Sequence, residues 1–527
     1  MKVLVMDNLA KDGVAVLESA PGIEPVVGEK MTPDELKQKI KGFDAIIVRS
    51  ATKMRREIIE AADALKVIAR AGVGLDNVDI EAATERGIVV MNSPEGNTVS
   101  TAEQTMAMIL ALSRNVAQAA ASMREGKWDK KKYMGRLLQG KTVGVVGLGR
   151  IGSTVARRLL AFECTVIGYD PVITEEAARK LTVELVQLPE LFERADIITF
   201  HTPLTDETRG LVRDETIAAM KDGVFVVNCA RGGIVDEAAL GRGIESGKVG
   251  GAALDVFEKE PPEDSPLAKL DNVIMTPHLG ASTKEAQAQV AVDTATQVVD
   301  ALTKGVMRNA VNAPMVSAEV MESLRYYLVI GEALGKLAVQ IGPERIEKLE
   351  IEYAGDICQY DVTPVTIATV KGLLEPSLGE SVNHVNAPVK AEEMGIRIVE
   401  SRSATSEDYN SLVTVSATSA DGTKTTVAGA VLGKHDPRIV LIDEYRLNAE
   451  PQGALLICRH SDKPGIVGRI GSILGDAGIN IAALSLGRRE RGGAELTVLN
   501  VDTSVAKDIV AKLEAIPDFE KASIVRL

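Results

Sequence analysis

The sequence predicts an α/β protein of several domains, and three observations lead to that prediction. Short apolar segments alternate with polar helical stretches over the first 92 residues and again from Lys141, which is the rhythm of βαβ units around a parallel sheet. From about 315 to 450, apolar and polar residues alternate instead, as in half-solvated antiparallel strands. From Ala454 the order is strand, helix, strand, strand, helix, strand, the βαββαβ pattern.

Length and composition restrict the class of protein. A typical domain size divides the 527 residues into about three or four domains. The formal net charge of -14 argues against nucleic acid and anionic membranes as partners. The four cysteines are far apart and form no CxxC pair, so we expect neither a disulfide framework nor a metal site. No apolar run approaches membrane-spanning length, and we expect a cytoplasmic protein.

The first 92 residues contain four candidate strands: VLVM, DAIIVRS, LKVIARAG and GIVVMN. Thr32 and Glu35 have the spacing of a capping box at a helix start. Near Ser100 a long helix begins, with Ser100 and Glu103 as a second predicted box, and it carries the chain into a new domain.

A second set of six candidate strands starts at Lys141, which is the strand count of a complete dinucleotide-binding sheet. A long helix then follows Ser282, for which Glu285 completes a third predicted capping box, and it runs to about Lys304. This helix can return the chain to the first domain. The predicted domains are therefore 1–98 with 282–314, then 99–281, 315–451 and 452–527.

The segment GLGRIG follows the strand KTVGVV and opens a helix. Gly147 permits a tight turn, Gly149 lets the backbone approach a pyrophosphate, and Gly152 allows close helix packing. Asp170 ends the next strand, where a carboxylate accepts the ribose hydroxyls and repels a 2′-phosphate, which favours NAD. The alternative is an ordinary tight turn between a strand and a helix.

Three later strands end in residues that suit hydroxy-acid oxidation. VFVVNCAR ends at Arg231, GAALDVF leads to Glu260, and NVIMTP delivers His278. An imidazole titrates near neutral pH and can take the hydroxyl proton, a carboxylate beside it fixes its tautomer, and a guanidinium binds a substrate carboxylate. Taken singly, each residue has an ordinary structural alternative: a core histidine, a surface ion pair, or a solvated loop charge.

Basic residues and glycines cluster near two strand ends of the first domain. RSATKMR contains Arg49, and IARAGVG contains Arg70, Gly72 and Gly74. Arginines there suit a phosphate, and backbone N–H groups of a glycine-rich turn suit a carboxylate. The alternative is a solvated basic turn. The predicted substrate-binding set is Arg49, Ser50, Arg70, Gly72, Val73, Gly74 and Asn97.

NCARGGIVDEAAL, LDVFEKEPP and TPHLGAST closely resemble signatures of the D-isomer-specific 2-hydroxyacid dehydrogenases, over roughly residues 1 to 313. The resemblance implies a Rossmann-type NAD domain inserted in a flavodoxin-like substrate domain. It implies that Arg231 binds the substrate, that Glu260 pairs with the histidine, and that His278 is the general acid/base. The implied NAD contacts, beside the glycines, are Arg150, Ile151, Asp170, Thr202, Cys229, Arg231, Asp255 and His278.

The C-terminal segments HSDKPGIVGRIGSIL and AGINIAALSLGRRE resemble a ferredoxin-like ACT domain. This resemblance implies effector binding at Asp462, Gly465 and Asn480, with L-serine as the effector. The alternative is that Asp462 caps the following helix and that Asn480 occupies a turn. ACT domains act in pairs, so we expect a homo-oligomer, a dimer or a tetramer. We expect Trp128 to pack in a subunit interface.

The whole chain resembles the long-form D-3-phosphoglycerate dehydrogenase family, with a mixed α+β intervening domain before the ACT domain. The resemblance implies oxidation of 3-phospho-D-glycerate to 3-phosphooxypyruvate with NAD, the first step of L-serine biosynthesis. Two alternatives stay open. One is another D-2-hydroxyacid dehydrogenase, of the glyoxylate or lactate type, and the other is a dinucleotide-sensing regulator resembling the corepressors of this fold.

Overall fold

The computed structural model describes residues 1–263, 265–314 and 318–527, arranged around four β-sheets. Asp264, which the sequence assigns to solvated loop charge, lies outside the described residues, as does the start of the predicted domain 315–451. Within the described ranges, no helix combines the length and the apolar character that crossing a membrane requires.

The first sheet has the parallel strand order β2-β1-β3-β4-β5, which is the flavodoxin-like order. Its exposed edge strand β2 is short and was not predicted, because its residues show no apolar run. Two apolar clusters bury the two faces of this sheet. The elements are β1 (Lys2–Val5), α1 (Lys11–Ser19), β2 (Glu24–Val27), α2 (Pro33–Lys39), β3 (Ala45–Val48), α3 (Arg56–Ala61), β4 (Val67–Arg70), α4 (Ile80–Glu85) and β5 (Val89–Asn92).

The second sheet is also parallel, with order β12-β11-β10-β9-β6-β7-β8. This is the doubly wound order plus one strand, so the predicted Rossmann-type fold is confirmed. The sequence missed the two-residue strand β8. The elements are α5 (Thr98–Ser113), α6 (Val116–Arg124), β6 (Thr142–Val146), α7 (Arg150–Ala161), β7 (Thr165–Tyr169), α8 (Glu175–Lys180), β8 (Glu184–Leu185), α9 (Leu188–Arg194), β9 (Ile197–Phe200), α10 (Asp214–Ala219), β10 (Val224–Asn228), α11 (Glu237–Glu245), β11 (Val249–Leu254) and β12 (Val273–Met275).

Helix α12 (Lys284–Lys304) returns the chain to the first sheet. A Cβ on Gly13 of α1 would lie 2.6 Å from the Ala291 carbonyl oxygen, so the two helices pack backbone to backbone. Beyond α12, the Val311 N–H donates to the Val90 carbonyl at 2.9 Å. We call β1–β5 with α1–α4 and α12 the first lobe, and the remaining elements from α5 to β12 the second lobe.

The third sheet has the order β14-β13-β15-β16-β17-β18, antiparallel except for the pair β13 and β14. The sequence predicted antiparallel strands here. Glycines let the two long helices α13 (Ala318–Ile341) and α14 (Thr363–Leu378) approach closely. A Cβ on Gly335 of α13 would lie 2.0 Å from the Thr369 carbonyl oxygen of α14. The elements are α13 (Ala318–Ile341), β13 (Lys348–Gly355), α14 (Thr363–Leu378), α15 (Ala387–Glu393), β14 (Arg397–Ser403), β15 (Ser411–Thr418), β16 (Lys424–Leu432), β17 (Asp436–Ile442) and β18 (Tyr445–Ala449).

The fourth sheet is antiparallel with order β20-β21-β19-β22, and its βαββαβ chain order confirms the ferredoxin-like prediction. Leu455, Ile457 and Val525 share one apolar core with α13 and the third sheet. Gln340 of α13 also exchanges two hydrogen bonds with the Arg526 backbone, at 2.9 and 3.0 Å. The elements are β19 (Ala454–Ser461), α16 (Ile466–Asp476), β20 (Ile481–Arg488), β21 (Ala494–Val501), α17 (Lys507–Glu514) and β22 (Phe519–Arg526).

The segment before α15 joins the third sheet's helices to the first lobe. Val385 is buried in the core on one face of the first sheet. The Asn383 amide donates to the Gly87 carbonyl at 2.8 Å, and the Asn386 amide to the Glu85 carbonyl at 3.4 Å. The C-terminal half of the chain is therefore attached to the turn between α4 and β5.

One of the three predicted capping boxes is present, and two predictions were wrong. Thr32 and Glu35 cap α2 reciprocally. Ser100 lies inside α5, and its hydroxyl donates to the Gly280 carbonyl at 2.7 Å. The cap of α12 is Thr283, one residue after the predicted Ser282. Pairs of residues with the capping-box spacing of three can start at neighbouring positions in the sequence. Tertiary contacts therefore decide which residue caps the helix.

Candidate active site

The second lobe brings three strand ends to one edge of its sheet. β10, β11 and β12 are parallel neighbours, so their carboxyl ends lie side by side, where doubly wound sheets bind ligands. Arg231 follows β10, Glu260 follows β11 and His278 follows β12. The three residues predicted to be catalytic therefore leave the sheet at the same edge.

His278 and Glu260 form a direct pair, with 2.8 Å between Nδ1 and Oε2. The other Glu260 oxygen accepts from the Phe257 N–H at 3.2 Å. Partial burial raises the pKa of Glu260, but the hydrogen bond and charge of His278 lower it further, so that the pKa lies below its ordinary value. An ionised Glu260 orients the imidazole through Nδ1, which leaves Nε2 for a substrate.

Asp255 is fully buried and holds the loop that carries His278. Its carboxylate accepts from the Thr276 hydroxyl at 2.5 Å and from the N–H groups of Leu279 and Gly280, both at 2.8 Å. Burial, together with the Asp255 charge, raises the pKa of the Cys229 thiol to about 12, so this thiol stays protonated. The predicted NAD contacts of both residues stay predictions.

Arg231 projects from a turn fixed by Asn228, which sequence reasoning missed. The buried Asn228 amide donates to the Arg231 carbonyl at 2.8 Å, and its oxygen accepts from the Ala230 N–H at 3.0 Å. An Asn as the last residue of a buried strand was the available signal, since Asn favours such turns. A Cβ on Gly232 would lie 1.8 Å from the Phe257 carbonyl oxygen, so only glycine lets this turn pass the acidic loop.

The glycine loop after β6 has the geometry of a phosphate cradle. Gly147 has a φ of 89°, and a Cβ on Gly152 would lie 1.9 Å from the Gly147 carbonyl oxygen. Around Gly149, by contrast, a Cβ would find no atom of the described residues within 4 Å. Gly149 directly precedes α7, whose N-terminal N–H groups favour an anion. The open space beside Gly149 fits a dinucleotide pyrophosphate.

Asp170 supplies a negative charge at the end of β7. Its carboxylate accepts from the N–H groups of Leu148, Val172 and Ile173 at 2.8, 2.8 and 3.0 Å. Partial burial raises the pKa of Asp170, and these backbone hydrogen bonds lower it further, to below the ordinary value. A charged group beside the glycine loop fits the ribose of NAD and opposes a 2′-phosphate.

The other predicted cofactor residues lie around this loop. Arg150, the first residue of α7, pairs with Glu95 across the two lobes at 3.3 Å. Ile151 is half-buried in the same helix. The Thr202 hydroxyl is buried, and no partner for it occurs among the described residues. Their contacts with NAD stay predictions.

The first lobe contributes arginines at the ends of two neighbouring strands. Arg49 follows β3, and Arg70 ends β4. Burial, and then the charge of Arg231, lower the pKa of Arg70 to about 10. A Cβ on Gly72 would lie 2.5 Å from Arg70 Nη1, and a Cβ on Gly74 would lie 2.1 Å from Arg231 Nη2. The glycine-rich turn therefore packs directly on guanidinium groups from both lobes.

The remaining predicted substrate residues differ in exposure. Asn97 and Arg49 line a small pocket in the first lobe, beside α12 and the segments that join the lobes, and the Asn97 side-chain oxygen is buried without a partner in the described part of the chain. Ser50 is exposed. The Val73 carbonyl accepts from the Asn92 amide at 2.6 Å. The substrate contacts of these residues stay predictions.

The predicted effector residues lie at the ends of ACT-like elements. Asp462 accepts from the Gly492 N–H at 2.9 Å and from Arg488 at 3.2 Å. The alternative prediction, that Asp462 caps α16, was wrong, because Gly465 holds the cap position with a φ of 94°. The Asn480 amide donates to Asp502 at 2.6 Å.

Three family models match the chain, in the order of its sheets. D-isomer specific 2-hydroxyacid dehydrogenase, NAD binding domain, matches residues 106–280. D-3-phosphoglycerate dehydrogenase intervening domain matches residues 323–443, and the ACT domain model matches residues 454–518.

Curated relatives match over the full length. D-3-phosphoglycerate dehydrogenase of Methanocaldococcus jannaschii is 44% identical and covers 100% of both chains. D-3-phosphoglycerate dehydrogenase of Bacillus subtilis is 42% identical and covers 100% of this chain and 99% of its own.

Solved structures match a part of the chain. The TT0316 protein of Thermus thermophilus is 37% identical, with a TM-score of 0.55, and covers 59% of this chain and 100% of its own. The D-lactate dehydrogenase of Aquifex aeolicus, in complex with NAD and lactic acid, is 32% identical, with a TM-score of 0.52 and the same coverage.

Proposed function

Because the chain belongs to the D-3-phosphoglycerate dehydrogenase family, we propose that it oxidises 3-phospho-D-glycerate at C2 to 3-phosphooxypyruvate, the first step of L-serine biosynthesis. It is an NAD-dependent dehydrogenase of this family. The observation that carries the proposal is the pair of His278 and Glu260 at the strand edge, beside the cradle for a dinucleotide.

We assign the proton transfer to His278. Glu260 holds Nδ1, so Nε2 takes the proton of the C2 hydroxyl during oxidation and returns it during reduction. The glycine loop at Gly147, Gly149 and Gly152, with Asp170, would hold NAD, which would supply the hydride acceptor for C2. The Arg231 guanidinium binds the substrate carboxylate, and Arg49 and Arg70 bind the phosphate. Asp255 holds the histidine loop in place through Leu279 and Gly280.

Assay of NADH formation from 3-phospho-D-glycerate tests this function. We expect His278→Ala to lower kcat by about 10²- to 10⁴-fold, because general acid–base catalysis is lost. Glu258→Gln is the matched control, since Glu258 lies in the same acidic loop and is exposed. Full turnover by His278→Ala, or turnover that does not require the substrate's phosphate, would refute the assignment.

The phosphate requirement also separates the rival functions. A glyoxylate- or lactate-type enzyme would turn over plain hydroxy acids equally well, and a regulator would bind NAD without turnover. The solved D-lactate dehydrogenase resembles the two lobes alone, whereas the D-3-phosphoglycerate dehydrogenases match over the whole chain. This full-length match supports the phosphorylated substrate.

We further propose that the ACT domain binds L-serine as a feedback inhibitor, through Asp462, Gly465 and Asn480. Support comes from the ACT model match and from the product of the pathway. We also propose a homo-oligomer, supported by three exposed apolar side chains in the segment after α6: Trp128 is 78% exposed, Met134 81% and Leu137 68%. The cytoplasmic location and the four domain boundaries stay predictions.

A further inference from the structure

The turn between β4 and α4 carries two adjacent polar residues, Asp76 and Asn77, that the proposed chemistry leaves without a role. Asn77 is buried, at 8% exposed, whereas the Asp76 side chain is 74% exposed. Each contacts a different segment that carries one of the proposed substrate-binding arginines. The turn therefore touches both ends of the substrate site.

Asn77 ties down the turn that begins at Arg49. Its amide nitrogen donates to the carbonyls of Arg49 and Thr52, both at 2.7 Å. The backbone carbonyl of Asn77 accepts from the Met54 N–H at 2.7 Å. One buried side chain thus satisfies two carbonyls of the Arg49 turn, and losing it leaves both without their donor.

Asp7 closes the same turn from the other side. Its carboxylate accepts from the N–H groups of Arg49 at 2.8 Å and Thr52 at 3.0 Å, and from the Thr52 hydroxyl at 2.7 Å. Since Asp7 follows β1, it fixes the turn to the first sheet, while Asn77 fixes it to the glycine-rich turn. The position of Arg49 is therefore set relative to Asp76.

Asp76 reaches the second lobe. Its Oδ2 lies 3.4 Å from Arg231 Nε. A Cβ on Gly74 would lie 2.1 Å from Arg231 Nη2 and 2.7 Å from Asp76 Oδ2. The carboxylate and the guanidinium thus pack on the same glycine, and the Arg231 side chain is held against the first lobe although it belongs to the second.

Charge supports this arrangement. Burial is the main cause of the lowered pKa of Arg70, the charges of Arg231 and Arg49 lower it further, and the charge of Asp76 raises it. Asp76 thus provides a carboxylate among three cations. The negative charge of Asp76 partly balances the repulsion between these arginines when no substrate anion is bound.

We infer that Asp76 and Asn77 are positioning residues that set the spacing between the Arg231 and Arg49 sites, and so select a short hydroxy acid with an anionic group at each end. The inference rests on the proposed function. Asn77 acts on the phosphate end through the Arg49 turn, and Asp76 acts on the carboxylate end through Arg231. The two substitutions should therefore have different signatures.

Reduction of 3-phosphooxypyruvate and of its unphosphorylated counterpart, hydroxypyruvate, with NADH separates the two roles. We expect Asn77→Ala to lower kcat/KM for the phosphorylated substrate by about ten- to a hundredfold, mostly through KM, because Arg49 is displaced. The value for hydroxypyruvate should stay within about threefold, because that substrate has no phosphate for Arg49 to bind. Asp76→Asn should lower both values by similar factors, and Asp76→Glu should restore them in part.

Asp79→Ala is the matched control. Asp79 caps α4 at the end of the same turn, so its loss lowers the melting temperature without touching either arginine segment. We expect its ratio of kcat/KM values for the two substrates to equal that of the wild type. If Asn77→Ala does not fold, Asp76→Asn carries the test, because that side chain is exposed.

Equal losses on both substrates for Asn77→Ala, or unchanged kinetics for Asp76→Asn, would overturn the inference and leave the proposed function intact. A wild-type enzyme that reduces hydroxypyruvate as well as 3-phosphooxypyruvate would overturn the proposed function, and the inference with it. The wild-type enzyme therefore distinguishes the two outcomes. If it prefers 3-phosphooxypyruvate to hydroxypyruvate, only the inference is overturned, and if it lacks this preference, the proposed function fails as well.

Discussion

At the scale of single residues, the imidazole and its carboxylate partner are the centre of the site. Glu260 lies beside Nδ1 of His278 at 2.8 Å, and the Glu260 pKa lies below its ordinary value because the hydrogen bond and charge of His278 outweigh partial burial. The carboxylate is therefore charged throughout the range in which an imidazole titrates. This fixed carboxylate orients the ring through Nδ1 and leaves Nε2 free for a substrate.

The charged partner predicts the effect of a Glu260→Gln variant. Gln keeps the size of the side chain but brings no negative charge to Nδ1 of His278. We expect kcat for reduction and for oxidation to fall by about ten- to a hundredfold, because the ring is no longer held with Nε2 toward the substrate.

Steady-state rates measured in both directions check this loss. Glu258→Gln is again the control and should keep the wild-type rates, because Glu258 is an exposed charge of the same loop. A Glu260→Gln variant with the wild-type kcat in both directions would show that the carboxylate does not position His278.

The sequence placed the three predicted catalytic residues at one sheet edge but did not indicate the residues that hold them there. Arg231, Glu260 and His278 follow three apolar strand segments, so the parallel-sheet rule brings them to one edge. Asp255 and Asn228 bond to backbone groups of distant or adjacent turns. Those bonds depend on loop conformations that no apolar pattern encodes.

At the scale of elements, the glycine loop before α7 separates two functions of glycine. Gly152 allows close packing, since a Cβ there would lie 1.9 Å from a carbonyl oxygen, whereas Gly149 faces open space. We expect Gly152→Ala to lower the free energy of unfolding by about 1–3 kcal/mol or more, because the overlap forces the backbone apart.

Gly149→Ala should leave stability nearly unchanged and weaken NAD binding, since its Cβ enters the space that fits the pyrophosphate. Thermal unfolding and titration of NAD measure the two effects. Gly241→Ala in α11 is a control for both, because its nearest atom would be 3.6 Å away. A Gly149→Ala variant with wild-type NAD affinity would contradict the assignment of the cradle.

The prediction of elements succeeded where burial is two-sided and failed at edges and helix starts. The central strands of both parallel sheets are continuous apolar runs and were predicted. The edge strand β2 has a partly exposed pattern, and β8 has two residues, so neither gives such a run. The pairing of β13 with β14 is parallel because β14 follows two helices, which strand alternation alone does not predict.

At the scale of the whole molecule, the C-terminal half forms one packed unit. The fourth sheet covers α13 through Leu455, Ile457 and Val525, all nearly or fully buried in the core of the third sheet. This unit contacts the first lobe through Asn383 and Val385 at the turn after α4. Helix α4 therefore lies between this contact and the Asp76–Asn77 turn.

Truncation separates catalysis from regulation. We expect a chain ending at residue 314 to keep NAD-dependent turnover, because solved relatives consisting of the two lobes cover 59% of this chain and 100% of their own. It should lose inhibition by L-serine, since Asp462, Gly465 and Asn480 are removed. The full chain with Asn480→Ala is the control that removes the effector contact and leaves the packing unchanged.

We expect a chain ending at residue 451 to aggregate more than the chain ending at residue 314. Removing only the fourth sheet uncovers the apolar face of α13, and large exposed apolar patches cause association. We expect this chain to aggregate in light scattering, whereas the chain ending at 314 exposes mainly the site of Val385. A monodisperse, active chain ending at 451 would show that the shared core is not needed. Serine inhibition that survives in the chain ending at 314 would place the effector site in the two lobes.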